Sequence, residues 1–141
     1  MIHTIYFRVI YAETDRMGFV YYTRYLEWFE RARNEYMRQI GLPYFELEDK
    51  KVFLPVIEAF CRYLRPAKYD DPIALNIWVS DCTGVRVKIN CEASCRETKL
   101  AEGFTWHSFV NQEGKPIRIP PWIKEKIMMN VETKETIKTA T

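Results

Sequence analysis

One stretch of this chain, residues 23 to 40, spaces its apolar residues by threes and fours, while most of the remaining apolar residues recur in steps of two. That contrast limits the fold more than any other feature. Tyr22, Leu26, Phe29, Ala32, Tyr36, Met37 and Ile40 form one broad helical face. Glu27 and Arg31 add an i,i+4 pair in the favourable orientation, and Gly41 followed by Pro43 supplies a stop. The spacing predicts one long helix from about Thr23 to Ile40.

The segments around it read as strands. Residues 2 to 11 alternate with apolar side chains on both faces, which predicts a strand covered on two sides. Residues 52 to 65 contain VFLPVIEAFCRYL, in which Pro55 marks a bulge or an edge. Residues 73 to 81 set Ile73, Leu75, Ile77 and Val79 on one face. In residues 85 to 96, Val85, Val87, Ile89, Cys91, Ala93 and Cys95 oppose Arg86, Lys88, Asn90, Glu92, Ser94 and Arg96. Residues 99 to 111 continue with Leu100, Phe104, Trp106 and Val110. The links DCTG and RETK suit hairpins, so neighbouring strands run antiparallel. A connection from Pro43 to Lys51 admits a turn of helix, and PWIKEKIMM forms a short one with proline in its first turn. The predicted order is strand, long helix and four antiparallel strands. One helix covers one face of such a sheet; alternation leaves open whether the polar face of residues 85 to 96 meets water or a second subunit.

At 141 residues the chain suits one domain of ordinary size, read here as residues 1–130 followed by a polar, threonine-rich tail, 131–141, that is expected to fray. Hydrophobic residues at 48% and charged residues at 28% exclude general disorder. The longest stretch without Asp, Glu, Lys or Arg, Gly103 to Gln112, falls far short of the ~20 residues of a membrane span. No secretory signal is visible in MIHTIYFRVIYAETD, so a cytoplasmic location is expected. A net charge of +2 does not argue for nucleic acid as a partner. The 15% aromatic content suits an aromatic-lined pocket, a large subunit interface or simply an aromatic core.

Cys61, Cys82, Cys91 and Cys95 read as reduced core thiols. Cys91 and Cys95 would stand ~13 Å apart on one strand, too far for a bridge. There is no CxxC pair, and His3 and His107 are the only histidines, so no metal is expected. GxSxG, GxGxxG, HExxH and P-loop patterns are absent, and both histidines fall on strands, which leaves a carboxylate or a backbone dipole as the chemical group. Asp15, in ETDRMGFVYY, lies between the first strand and the start of the long helix. Gly18 lets the backbone turn there and a ligand approach. A helix N-terminus presents free N–H groups to a developing oxyanion, and a carboxylate beside it can attack a carbonyl or activate water. A loop or capping role for Asp15 fits the same residues.

The stretch YAETDRMGFVYYTRYLEWFERARNEYMRQIGL resembles the opening motif of hotdog-fold acyl-CoA thioesterases, of the 4-hydroxybenzoyl-CoA type and of the short-chain branch associated with the Tol-Pal system. The matching positions are Asp15, Gly18, Val20, Tyr21, Tyr25, Phe29, Glu30, Ala32 and Arg33. A looser similarity runs through FCRYLRPAKYDDPI and RIPPWIKEKI. The resemblance implies an α+β hotdog fold, a five-stranded antiparallel sheet wrapped round one long central helix, with active sites at a dimer interface. It implies hydrolysis of an acyl-CoA, with Asp15 as catalytic carboxylate, the Tyr22 backbone N–H holding the thioester oxygen, and Gly18, Val20 and Tyr25 at the substrate. Many members of the Tol-Pal branch carry histidine where this chain has Tyr22; the hydroxybenzoyl type carries tyrosine. A histidine-assisted mechanism is therefore not expected, and the acyl group stays open between short aliphatic and aromatic.

A thiol ionises near pH 8.5, so a CoA thiolate leaves with little help, and Asp15 can serve as direct nucleophile or as general base. Arg62, Arg65, Lys68, Arg86, Lys88, Arg96 and Arg118 are the candidates for CoA phosphate contacts. CoA is part of the substrate, and no further cofactor is expected. A homo-oligomer, either a dimer or a dimer of dimers making a homotetramer, follows from the apolar surface one helix leaves uncovered. The competing readings are a dehydratase, whose histidine pattern is missing, and a non-catalytic acyl-CoA or acyl-carrier binding module.

Overall fold

The computed structural model describes residues 1–131 and 134–139. Five strands, β1 (His3–Arg8), β2 (Val56–Tyr63), β3 (Pro72–Thr83), β4 (Arg86–Cys95) and β5 (Thr98–Ser108), form one antiparallel sheet in the order β1-β3-β4-β5-β2. Helix α1 (Arg24–Gln39) lies across one face; α2 (Tyr44–Asp49) and α3 (Pro121–Met128) are short. This is the five-stranded sheet and single long helix of the hotdog architecture.

The helix stops where the glycine requires it to. Gly41 takes φ +83°, Gly41 N–H donates to Arg38 O (3.1 Å) and Leu42 N–H to Met37 O (2.8 Å), a Schellman closure. Tyr25, Trp28, Phe29, Ala32, Tyr36 and Met37 are buried. Two residues of the expected face are exposed. Tyr22 precedes the first helical turn, and Leu26 is displaced because Tyr25 and Trp28, one step round the helix, take the core side. Glu27 pairs with Arg24 at 3.0 Å rather than with Arg31, whose guanidinium stands over the Phe7 ring.

The inner face of the sheet is the apolar face read from alternation. Ile73, Leu75, Ile77 and Val79 of β3 and Val87, Ile89, Cys91, Ala93 and Cys95 of β4 are buried against the helix layer. Each such large aliphatic side chain contributes about 1.5–3 kcal/mol on burial. Leu100 joins this core, whereas Phe104 and Trp106 of the same strand lie on the outer face, with a register irregularity at Ala93/Ser94 opposite β5. Pro55 immediately precedes β2, which is an edge strand with an irregularity at Val56/Glu58, so both meanings of that proline apply. The expected two-sided cover of the first strand is not found. β1 is the other edge; Ile5 and Phe7 pack inward while Tyr6 is 78% exposed.

His107 is a satisfied core residue. Its Nδ1 lies 3.0 Å from Leu54 O, which can only accept, so Nδ1 carries the proton and Nε2 (2.8 Å) accepts from the Thr105 hydroxyl. Burial pushes its pKa down to about 4, and the ring is neutral at pH 7. The four cysteines are free; burial pushes Cys61 and Cys82 up to about 11.

The polar face of β4 is largely covered by the chain itself. Lys88, Asn90 and Glu92 are buried, and residues 134–138, expected to fray, lie over them with Ile137 buried against Trp78 and Phe104. That expectation for Glu132, Thr133, Ala140 and Thr141 lies outside the described residues.

Candidate active site

The loop between β1 and α1 is closed by its own backbone. Thr14 bridges Val20, Asp15 N–H donates to Phe19 O (2.7 Å), and Gly18 N–H donates to Asp15 O (3.0 Å). Gly18 sits at φ +82° with open space around its Cα, so backbone conformation and not crowding selects glycine here. A second bridge, Phe19 to Lys68, and the bond from Val20 N–H to Ala67 O (2.8 Å) tie the loop to the segment after β2. Glu13 fixes its base. Buried, it accepts from Ile10 N–H (3.0 Å) through Oε1 and from Trp28 Nε1 (2.7 Å) through Oε2, while its carbonyl accepts from Tyr21 N–H.

Asp15 is exposed on this rigid frame. Its Oδ1 accepts from Met17 N–H (2.8 Å) and Phe19 N–H (3.1 Å), so the carboxylate does serve the loop. Its Oδ2 has no hydrogen-bond partner among the described residues, which leaves one oxygen for a reacting molecule. Asp15, Val20, Tyr22 and Tyr25 line a common cleft of 410 Å³ with Phe19, Tyr21, Tyr63, Leu64, Arg65 and Pro66. Gly18 does not line it; its part is the turn.

Tyr22 stands just before α1. Its N–H donates to no acceptor among the described residues. The Tyr21 carbonyl accepts from Arg24 N–H at 2.9 Å, and because the peptide group is planar, fixing that carbonyl also fixes the Tyr22 N–H on the opposite side. The Tyr22 carbonyl in turn accepts from Tyr63 OH (2.8 Å). Tyr63 meets the rings of Tyr25 (5.1 Å, 77°) and Tyr22 (6.4 Å, 87°) edge-on, which gives the cleft an aromatic wall. Burial pushes the Tyr25 and Tyr63 phenols above their ordinary value, so neither ionises near neutrality.

The candidate phosphate contacts separate cleanly. Arg65 lies on the cleft. Arg62 is engaged with Glu102 (3.0 Å) and the Lys138 carbonyl (2.9 Å), and Lys88 is buried with its ammonium on the Ile137 carbonyl (2.7 Å). Lys68, Arg86, Arg96 and Arg118 are exposed and do not line the cleft. Among the described residues no group of three His, Cys, Asp or Glu side chains is placed to hold a metal. The contributors missed from sequence are Phe19 and, above all, Tyr63, Leu64 and Pro66, which arrive from the end of β2; their signal was the RYLRP run within the looser similarity.

Known proteins resemble this chain in sequence and in fold. Residues 9–127 match the family model described as the thioesterase-like superfamily. The acyl-CoA thioesterase YbgC of Haemophilus influenzae is 36% identical over 81 residues, a match that takes in 57% of this chain and 60% of the relative. Among solved structures, protein TT1821 from Thermus thermophilus superposes with a TM-score of 0.88 at 28% identity, covering 94% of this chain and all of that one. A DHNA-CoA thioesterase from Staphylococcus aureus does so with a TM-score of 0.84 at 26% identity, covering 91% and 89%. No helix among the described residues is long and apolar enough to cross a membrane. With the match running over residues 9–127, most of its length, the chain belongs to the thioesterase-like superfamily.

Proposed function

We propose that the chain hydrolyses acyl-CoA thioesters to a carboxylic acid and CoA, with Asp15 as nucleophile or general base and the Tyr22 N–H as oxyanion donor. One observation carries this reading: Asp15 and Tyr22 line one cleft, and neither Asp15 Oδ2 nor the Tyr22 N–H has a hydrogen-bond partner among the described residues. Along the base route, Asp15 Oδ2 takes a proton from water as its oxygen attacks the thioester carbon; the C–S bond then breaks and the thiolate leaves. Along the nucleophile route, Oδ2 itself attacks, the thiolate leaves from the tetrahedral intermediate, and water cleaves the resulting mixed anhydride to restore the carboxylate. Either way the negative oxygen forms beside the Tyr22 N–H, and one such donor is worth about 3 kcal/mol to the transition state. Neither route needs a metal or cofactor, and Arg65 is the cleft's cation for CoA phosphates. The free thiols suit a cytoplasmic setting.

The test is a panel of acyl-CoAs, from short aliphatic to hydroxylated aromatic, incubated with the protein and a thiol-reactive dye. Thiol release with turnover is expected, and the best acyl group identifies the branch. Tight binding without thiol release would instead make the chain an acyl-CoA binding module.

The active unit in this reading is a dimer, alone or doubled into a tetramer. Strand β2 is an edge with exposed Val56 and Ile57, which a soluble chain must cover or pair. Antiparallel pairing of two such edges across a two-fold axis brings the start of β2 in one copy toward the end of β2 in its partner, where Leu64 and Arg65 line the cleft. Sedimentation at micromolar concentration is expected to show a species at least twice the 16.9 kDa chain mass; a lone monomer would remove the shared site.

A further inference from the structure

The outer face of the sheet carries a built polar site away from the Asp15 cleft. Asn90 of β4 is fully buried. Its Nδ2 donates to Ser80 Oγ (2.7 Å) and to the Trp78 carbonyl (3.5 Å), both on β3, and this fixes the amide with Oδ1 directed outward. There Oδ1 accepts from Ile137 N–H (2.8 Å) and from Thr136 Oγ1 (3.2 Å). Lys88, two residues along the same face, donates Nζ to the Ile137 carbonyl at 2.7 Å, and Arg62 of β2 donates to the next carbonyl, that of Lys138, at 2.9 Å. The Ile137 side chain sits against Trp78 and Phe104.

These contacts have the character of ligand recognition. Three side chains from two strands read one N–H and two consecutive carbonyls, a main-chain pattern that tolerates many sequences, while a single aliphatic side chain is recognised by shape. The strand pairing beneath the groove does not depend on its occupant. The β3, β4 and β5 ladders are complete without residues 134–138, and Asn90 Nδ2 is bonded within the sheet, to Ser80 Oγ and the Trp78 carbonyl, while Ser80 Oγ in turn donates to Thr136 Oγ1 (3.0 Å). The groove also requires an acceptor. Lys88 is buried over the Phe104 ring (4.1 Å); Glu58 and Asp81 act on it electrostatically from β2 and β3, but its hydrogen bond goes to the segment.

We infer that the outer face of the sheet is a binding groove for an extended peptide, with polar residues flanking one β-branched aliphatic anchor, and that residues 134–138 are its ligand, held in cis and able to leave. Tethering gives such a segment an effective concentration on the order of millimolar, so weak individual contacts keep it seated. The inference is independent of the thioesterase reading, because none of these residues lines the Asp15 cleft.

Full-length Ile137→Asp removes the anchor and tests the groove. By circular dichroism the variant is expected to fold, and by hydrogen exchange the amide at position 137 loses its protection. The synthetic peptide KETIKT, at millimolar concentration, then shifts the Trp78 indole resonance back toward its wild-type position, whereas KETDKT does not. Adding Asn90→Leu to the Ile137→Asp chain abolishes rescue by KETIKT. In the wild-type protein the Ile137 amide exchanges at least a hundredfold faster than the amides of β4. A variant that fails to fold, a peptide that does not rebind, or an Ile137 amide that opens only with the β4 core would each overturn the inference.

Discussion

Asp15→Asn is expected to keep the loop and lose the reaction, lowering turnover of the best acyl-CoA by about 10²–10⁴-fold, the usual worth of a positioned base. The substitution is a clean probe because of what Oδ1 does. An asparagine carbonyl oxygen still accepts from Met17 N–H and Phe19 N–H, so the turn closed by Gly18 persists. What disappears is the charge on the other oxygen, which in the variant is an NH₂ group that can neither attack a thioester nor take a proton from water. Circular dichroism and sedimentation should match the parent while the thiol assay falls. Near-normal turnover would make Asp15 a capping residue only and return the chemistry to another group.

The largest expected effect on stability comes from a single methyl group. In Gly103→Ala the new Cβ would lie 2.1 Å from the Phe60 carbonyl oxygen and 2.8 Å from Cε2 of Phe29. Overpacking usually costs about 1–3 kcal/mol, because a side chain can swing aside. Here the nearest atom is backbone in the paired edge strand β2, and the aromatic ring of α1 blocks retreat the other way, so a loss of at least about 3 kcal/mol is expected. Urea denaturation measures it directly. A change below about 1 kcal/mol would mean that β2 lies farther from β5 than described.

What could be read from sequence followed the reach of the physical signal. The helix and its glycine stop were legible because repeated burial on one face leaves a period, and the inner face of β4 was legible for the same reason. Asp15 stood out by its place before a helix start and Tyr22 by resemblance alone; both lie within one short segment, and the structure sets them on one cleft. Tyr63 and Pro66 were not legible, because they reach the cleft from another part of the chain and nothing periodic marks them. Glu13 reads as an ordinary loop acid, yet it is the buried anchor of that loop through Trp28. That the tail lies over Asn90 was not legible for a related reason. A threonine-rich tail with one isoleucine has the composition of a fraying end, and a groove that binds main chain is silent in the side chains of what it binds.

The strand order also sets a timetable. The three central strands are joined by short hairpins, but β1 pairs with β3 across residues 3–8 and 72–77, and β2 reaches β5 across residues 56–63 and 101–107. Pairings between distant parts of a chain form slowly, since the long loop must close before any contact is gained. On the ribosome the Asp15 loop and α1 emerge early, yet the sheet that seats them is not complete until β5 has been made. The helix made ahead of its sheet is thus among the last elements to be locked in place. Until then Trp28, Phe29 and Tyr36 have no core to enter, so this is the interval in which the nascent chain most needs protection from aggregation.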